Sequence, residues 1–156
     1  MSVKSLLAAA AAVVGIASGP ALAQSSDPLI GTWKLNAEKS KSQAFKSGTT
    51  VIEKAGDGVK FTVDLVAADG MAHHWTFTAN YDGKDNPVTG DSPFGDTAAL
   101  TRADPQTTRI TVKRGGQETA TQTIVVSADG KTRTTTTKGT DAKGQKIDSM
   151  SFYEKQ

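Results

Sequence analysis

Cysteine is absent from the 156 residues. That excludes a disulfide framework, a thiolate nucleophile, a Cys-ligated metal and the lipidated cysteine of an anchored lipoprotein. Histidine is nearly absent too, with only His73 and His74. Neighbours on a strand point to opposite faces, so these two could not chelate one ion together, and neither a metal nor a cofactor is expected. Aromatic residues are few: two Trp, two Tyr and five Phe. Long apolar runs are missing as well. The longest, residues 6 to 16, spans 11 residues, against the ~20 a membrane-crossing helix needs. Nowhere does a strongly amphipathic helical pattern persist for ten residues. No run of Lys or Arg offers a nucleic-acid footprint. There is also no nucleophile elbow, phosphate-cradling glycine loop or paired carboxylate set, and no His with an evident carboxylate to orient it. An enzyme is therefore not expected.

What is present begins with a leader. Lys4 precedes the apolar run, and Ala21-Leu22-Ala23 supplies a small-x-small cleavage pattern. Residues 1-23 are expected to be a signal peptide removed near Ala23, which sends the chain to the periplasm or the exterior. Residues 24-28 then form a short leader, and 29-156 a single domain. Cleavage leaves 133 residues with 17 Lys+Arg against 16 Asp+Glu, counting Lys4 out of the 18. A chain of that length buries roughly two-thirds of its unfolded surface.

Strand patterns fill that domain. Val59, Phe61, Val63 and Leu65 alternate with Lys60, Thr62 and Asp64, a half-buried strand. His73, Trp75, Phe77, Ala79 and Tyr81 share one face of the next. Further strands are expected over 29–35, 49–55, 97–102, 107–113, 117–126, 131–138 and 145–154. The stretch 84–93 carries Pro87, Gly90 and Pro93 and predicts a short edge strand plus loop. Asp-Gly pairs at 57–58, 69–70, 82–83 and 129–130 mark tight turns, whereas 37–45 reads equally as loop or short helix. Sequential hairpins without a long crossover predict an all-β fold: an antiparallel up-and-down meander closed into one barrel of 8–10 strands. An open or sandwich arrangement is the alternative.

Gly31-Thr32-Trp33-Lys34-Leu35-Asn36 on the first strand, Tyr81-Asp82-Gly83-Lys84-Asp85 further on, and Ser151-Phe152-Tyr153-Glu154-Lys155 at the end carry a family likeness. The chain resembles the calycin group, lipocalins and fatty-acid-binding proteins, and in particular small bacterial exported lipocalin-like proteins of unassigned function. The likeness extends over nearly all of 29–156. It implies a calycin-like barrel around a cavity for a small, largely apolar molecule. In the fatty-acid-binding branch an Arg two residues before the final Tyr holds the ligand carboxylate. Here that position is Ser151, so that site is not carried over. Two tryptophans are too few for an avidin-type aromatic box.

The candidate site follows from these readings. Gly31 and Trp33 are expected as a structural plug, with Trp33 against a cation from a late strand and its indole N–H on a carbonyl; lining the cavity is the alternative. Phe61, Trp75, Phe77 and Tyr81 would form an aromatic wall, with His73 beside it. Thr119, Thr121 and Thr123 share one strand face, and Thr132, Thr134 and Thr136 share one face of the next, with Thr135 and Thr137 opposite. These threonines are either an exposed ladder or the polar side of a hydrated pocket, for which Thr121, Thr134 and Arg133 are the candidates. Arg133, Arg109 or Arg114 could meet an anionic head group. The expected function is an exported, monomeric binder of a small apolar or amphiphilic ligand, without nucleic-acid partner or membrane span. The alternative is a packed structural or interaction module of the envelope.

Overall fold

A computed structural model describes residues 26–141 and 143–156; the expected signal peptide and its cleavage site lie outside the described residues. Every regular element is a β-strand: β1 (Gly31–Asn36), β2 (Phe45–Ala55), β3 (Gly58–Ala67), β4 (Ala72–Ala79), β5 (Asp85–Pro87), β6 (Thr89–Gly90), β7 (Thr97–Asp104), β8 (Thr107–Arg114), β9 (Gln117–Val126), β10 (Thr132–Thr140) and β11 (Lys146–Lys155). Among the described residues no helix is long and apolar enough to cross a membrane. The stretch 37–44 is turn and loop, not helix.

All eleven strands join one antiparallel sheet in the order β5-β7-β8-β9-β10-β11-β1-β2-β3-β4-β6. The expected meander barrel is therefore present, as nine strands of six residues or more plus the two short ones. β11 pairs with β1 through Trp33–Lys155 and Leu35–Tyr153, which joins the first and last strands. The remaining seam lies between β4 and β7. Here the irregular stretch divides, β5 adding to β7 and β6 to β4, so the barrel is nearly closed. Pro87 ends β5, where its missing N–H costs no ladder bond. Gly90 sits at φ +106°, and a Cβ there would stand 2.3 Å from the His74 carbonyl oxygen, so only glycine lets β6 approach β4.

The alternation of β3 places Val59, Phe61, Val63 and Leu65 inside, and its antiparallel partner β4 contributes Trp75, Phe77 and Ala79 to the same face. Directly opposed residues share a face and pack together. Phe61 and Phe77 face each other across the ladder and stack, centroids 4.6 Å apart and planes 8° apart.

The two ends of the barrel differ. One end, which receives residues 27–30 and the β2–β3 turn, is dry: Leu29, Trp33, Ile52, Val59 and Leu100 are almost wholly buried there. Toward the other end the interior walls change from aliphatic to hydroxyl-bearing on β10 and β11. At its rim Phe94, in the β6–β7 connection, meets Phe45 and Trp75 edge-on at 6.2 and 6.1 Å between centroids.

Candidate functional site

Trp33 is the base on which the site is built. Its side chain is fully buried, and its indole N–H donates to the Leu29 carbonyl at 2.9 Å. Lys155 on β11 holds its ammonium 4.8 Å from the ring centroid and donates to the Pro28 carbonyl at 3.2 Å. A Cβ on Gly31 would come within 2.9 Å of the Lys155 side chain, so the glycine makes room for this cation. Plug, cation and carbonyl partner are thus all present.

A second cation, Arg133 on β10, stands 5.3 Å from the Trp33 ring and 4.2 Å from the ring of Tyr153, its ladder partner on β11. It is only 4% exposed. No carboxylate pairs with it among the described residues, and its Nε has no hydrogen-bond partner. Burial alone brings its pKa down to about 10, with Tyr153 opposing that shift, so the guanidinium is still charged at neutral pH. Burial likewise pushes the Tyr153 phenol up, against the pull of the Arg133 charge.

Magnitudes show why this arrangement is incomplete. Taking an ion out of water costs several kcal/mol even after relaxation. A desolvated cation–π contact returns about 2 kcal/mol, and Trp33 already serves Lys155. Two rings therefore offset only part of the cost. Among the described residues no carboxylate offsets the rest.

Arg133 lines an interior cavity of about 50 Å3. A water occupies roughly 10–15 Å3 of such space, so the cavity holds a few waters or a small solute. One side is aromatic, with Phe61, Trp75 and Phe77 below Phe45 and Phe94; the other is polar, with Arg133, Thr135, Thr137, Gln122, Ser149 and Ser151, and Tyr153 beside them. Thr135 Oγ1 is buried without a partner. A small cavity with aromatic residues on one side and polar residues on the other is therefore present.

Four of the expected ligand residues meet there: Phe61, Trp75, Phe77 and Arg133. The others are placed elsewhere. Thr134 lies outward because Arg133, Thr135 and Thr137 are the buried positions of β10. Thr121 is outward as well, its hydroxyl donating to Glu118, whereas Ala120, Ile124 and Val126 are the buried positions of β9. On β10, Thr occupies both faces, so alternation could not fix the parity. Its partner β9 does, since Arg133 pairs with Val126 and Thr135 with Ile124.

Tyr81 has left the aromatic wall. It follows β4 in a turn, where its hydroxyl donates to the Asp27 carboxylate and Arg102 stacks 4.0 Å above its ring. Arg102 also donates to Asp27 at 2.6 Å. Burial and the hydrogen bond to Asp27 push the Tyr81 phenol far above its ordinary range, with Arg102 opposing. His73 faces the rim, not the cavity, with Nδ1 3.0 Å from Asp91; His74 meets Asp64 at 2.6 Å. Each histidine thus has a carboxylate the sequence did not reveal, because both partners come from separate segments. Among the described residues no group of three or more His, Asp or Glu could hold a metal.

The cavity residues not among the expected ligand residues include Phe45, Phe94, Thr135, Thr137, Gln122, Ser149, Ser151 and Tyr153. The alternation of Ser149, Ser151 and Tyr153 on β11 was available as a signal; Phe45 and Phe94 stand in loop-like text and gave none.

The nearly closed antiparallel barrel, with its first strand plugged by Trp33, is compatible with a calycin-like fold. Compared with family models, curated proteins and solved structures, the chain finds no significant match in any of the three.

Proposed function

We propose that this protein is an exported small-molecule-binding protein of lipocalin-like type, holding its ligand inside the barrel between the aromatic wall of β3 and β4 and the polar wall of β10 and β11. What supports this reading above all is a charged Arg133 buried beside a cavity with no carboxylate of the described chain to neutralise it. A folding core gains nothing from such a group, because an apolar residue of the same volume would pack at lower cost. A binding site gains a ready anchor. Export rests on the leader, Lys4 through Ala23.

Native mass spectrometry of the secreted protein tests the proposal. The expected spectrum shows the chain beginning near Gln24 together with a bound small molecule, or uptake of added amphiphilic probes. A bare mass with no uptake of any probe would sink the idea. The competing reading, a packed module of the envelope, draws on the modest cavity of about 50 Å3, well below the roughly 300–1,000 Å3 of drug-sized ligand sites. The modest volume restricts the ligand's size.

A further inference from the structure

The polar wall has a charge, a size and a direction, and together they narrow the ligand class. We infer that the barrel interior takes a small monocarboxylate, its head group on Arg133 and its apolar remainder against the stacked Phe61 and Phe77. This deepens the proposal that the interior is a ligand site, and it rests on that proposal.

The charge comes first. Arg102, a half-buried arginine, has its carboxylate in Asp27 and lies over Tyr81 at 4.0 Å. Arg133 lies over Tyr153 at 4.2 Å, in the same stacked relation, and has no carboxylate among the described residues. The one group absent from the second arrangement is the anion. A carboxylate matches the planar fork of a guanidinium through two parallel N–H···O bonds. Among the described residues lining the cavity Arg133 is the only cation, so one negative charge is balanced there and a dianion is not. Nearby, Thr135 Oγ1 lacks a partner and is available for the same head group.

Size excludes long chains. Free space of about 50 Å3 admits a head group with a short tail and not an extended acyl chain. Direction follows from the walls. Arg133, Thr135, Thr137, Ser149 and Ser151 belong to β10 and β11, and the stacked Phe61 and Phe77 to β3 and β4, so the carboxylate and the apolar end face different walls of the barrel.

The test is titration of the mature protein with butyrate, butyramide, inorganic phosphate and oleate, followed by calorimetry and by the NMR signal of the Arg133 Nε–H. The expected result is saturable butyrate binding that shifts this signal. Butyramide, which has the same shape without the charge, should bind about tenfold more weakly or worse. Arg133→Gln should lower butyrate affinity by a similar factor, and Arg133→Lys should restore part of it. If Arg133→Gln does not fold, the wild-type Nε–H shift and the butyrate–butyramide ratio decide the matter. Binding of butyramide as tightly as butyrate would overturn the carboxylate inference and leave the barrel a binder of neutral molecules. Phosphate or oleate binding in preference to butyrate would overturn the stated class. No binding of any of the four, with no uptake of apolar probes, would overturn the ligand site itself.

Discussion

Two arginines of this barrel sit on tyrosine rings at almost the same distance, 4.0 Å for Arg102 over Tyr81 and 4.2 Å for Arg133 over Tyr153. At the first, Asp27 folds in from the segment before β1 and accepts from both the guanidinium and the phenol. At the second, the neighbours are Trp33, threonines and serines, and no acid pairs with Arg133 among the described residues. The chain can neutralise a buried arginine with its own residues and does so at one end of the molecule only. The Asp27 cluster is a latch that fastens the entering segment to the barrel. Arg133 is half of such a cluster, facing a cavity.

The comparison is most easily broken by removing each arginine in turn. Arg102→Met strands the Asp27 carboxylate, which is itself largely buried. It should lower stability by about 2–4 kcal/mol, somewhat less than a fully buried pair would cost, read as an earlier urea midpoint. Arg133→Met removes a charge that has no partner. In the absence of ligand, its unfolding midpoint should stay level or move later, by up to about 2 kcal/mol, because the desolvation relieved outweighs the attraction of the two rings. A loss for Arg133→Met matching that of Arg102→Met would mean an acceptor satisfies Arg133, and the contrast would fall.

Alkaline titration sharpens the same contrast. The two tyrosines of the chain both have raised pKa values, chiefly through burial. A raised phenol favours the fold fully below its ordinary value of 10 and loses that contribution as pH climbs above it. Phenolate absorbance should therefore appear together with unfolding, in one step above pH 10, instead of preceding it. Arg133 acts in the opposite sense: its pKa is lowered to about 10, so the cost of burying its charge fades as pH rises through that value. Arg133→Met lacks this relief and should lose stability more steeply with alkali. Parallel curves for wild type and variant would contradict the assignment.

The smallest effect belongs to charges that never leave water. Lys39 and Glu154 form a 2.7 Å pair but are 57% and 42% exposed. Lys39→Ala should leave the urea unfolding midpoint indistinguishable from wild type at moderate salt. A larger shift would show that exposure is a poor guide to which ion pairs matter here.

Much of this architecture was legible in the residues, and the exceptions have physical causes. β3 announces itself through strict alternation, and Asp-Gly turns divide the strands that follow. Burial of Trp33 was legible because a large ring early in a first strand has few other places to go. β10 concealed its register, since Thr132 and Thr134 through Thr137 look alike from either face. A slip of one residue there exchanges the whole inner and outer sets, which is how Thr134 came to be expected in place of Thr135. The alternation of Ala120, Gln122, Ile124 and Val126 on β9 would have resolved the parity through direct pairing. Tyr81 continues the period of β4 in sequence, but the strand ends at Ala79 and the turn carries the ring to Asp27. Contacts between remote segments, such as Asp27 with Arg102 or His73 with Asp91, leave no local pattern to read.

Among the described residues Arg133 lacks an anion, and the proposed ligand would supply one. Urea unfolding of wild type and Arg133→Met, each with and without saturating butyrate, tests it most directly. A ligand that binds only the folded form at one hundred times its Kd adds about 2.7 kcal/mol of stability. The account requires a gain of that order in wild type and none in Arg133→Met. Equal gains in both proteins, or no gain in either, would contradict it.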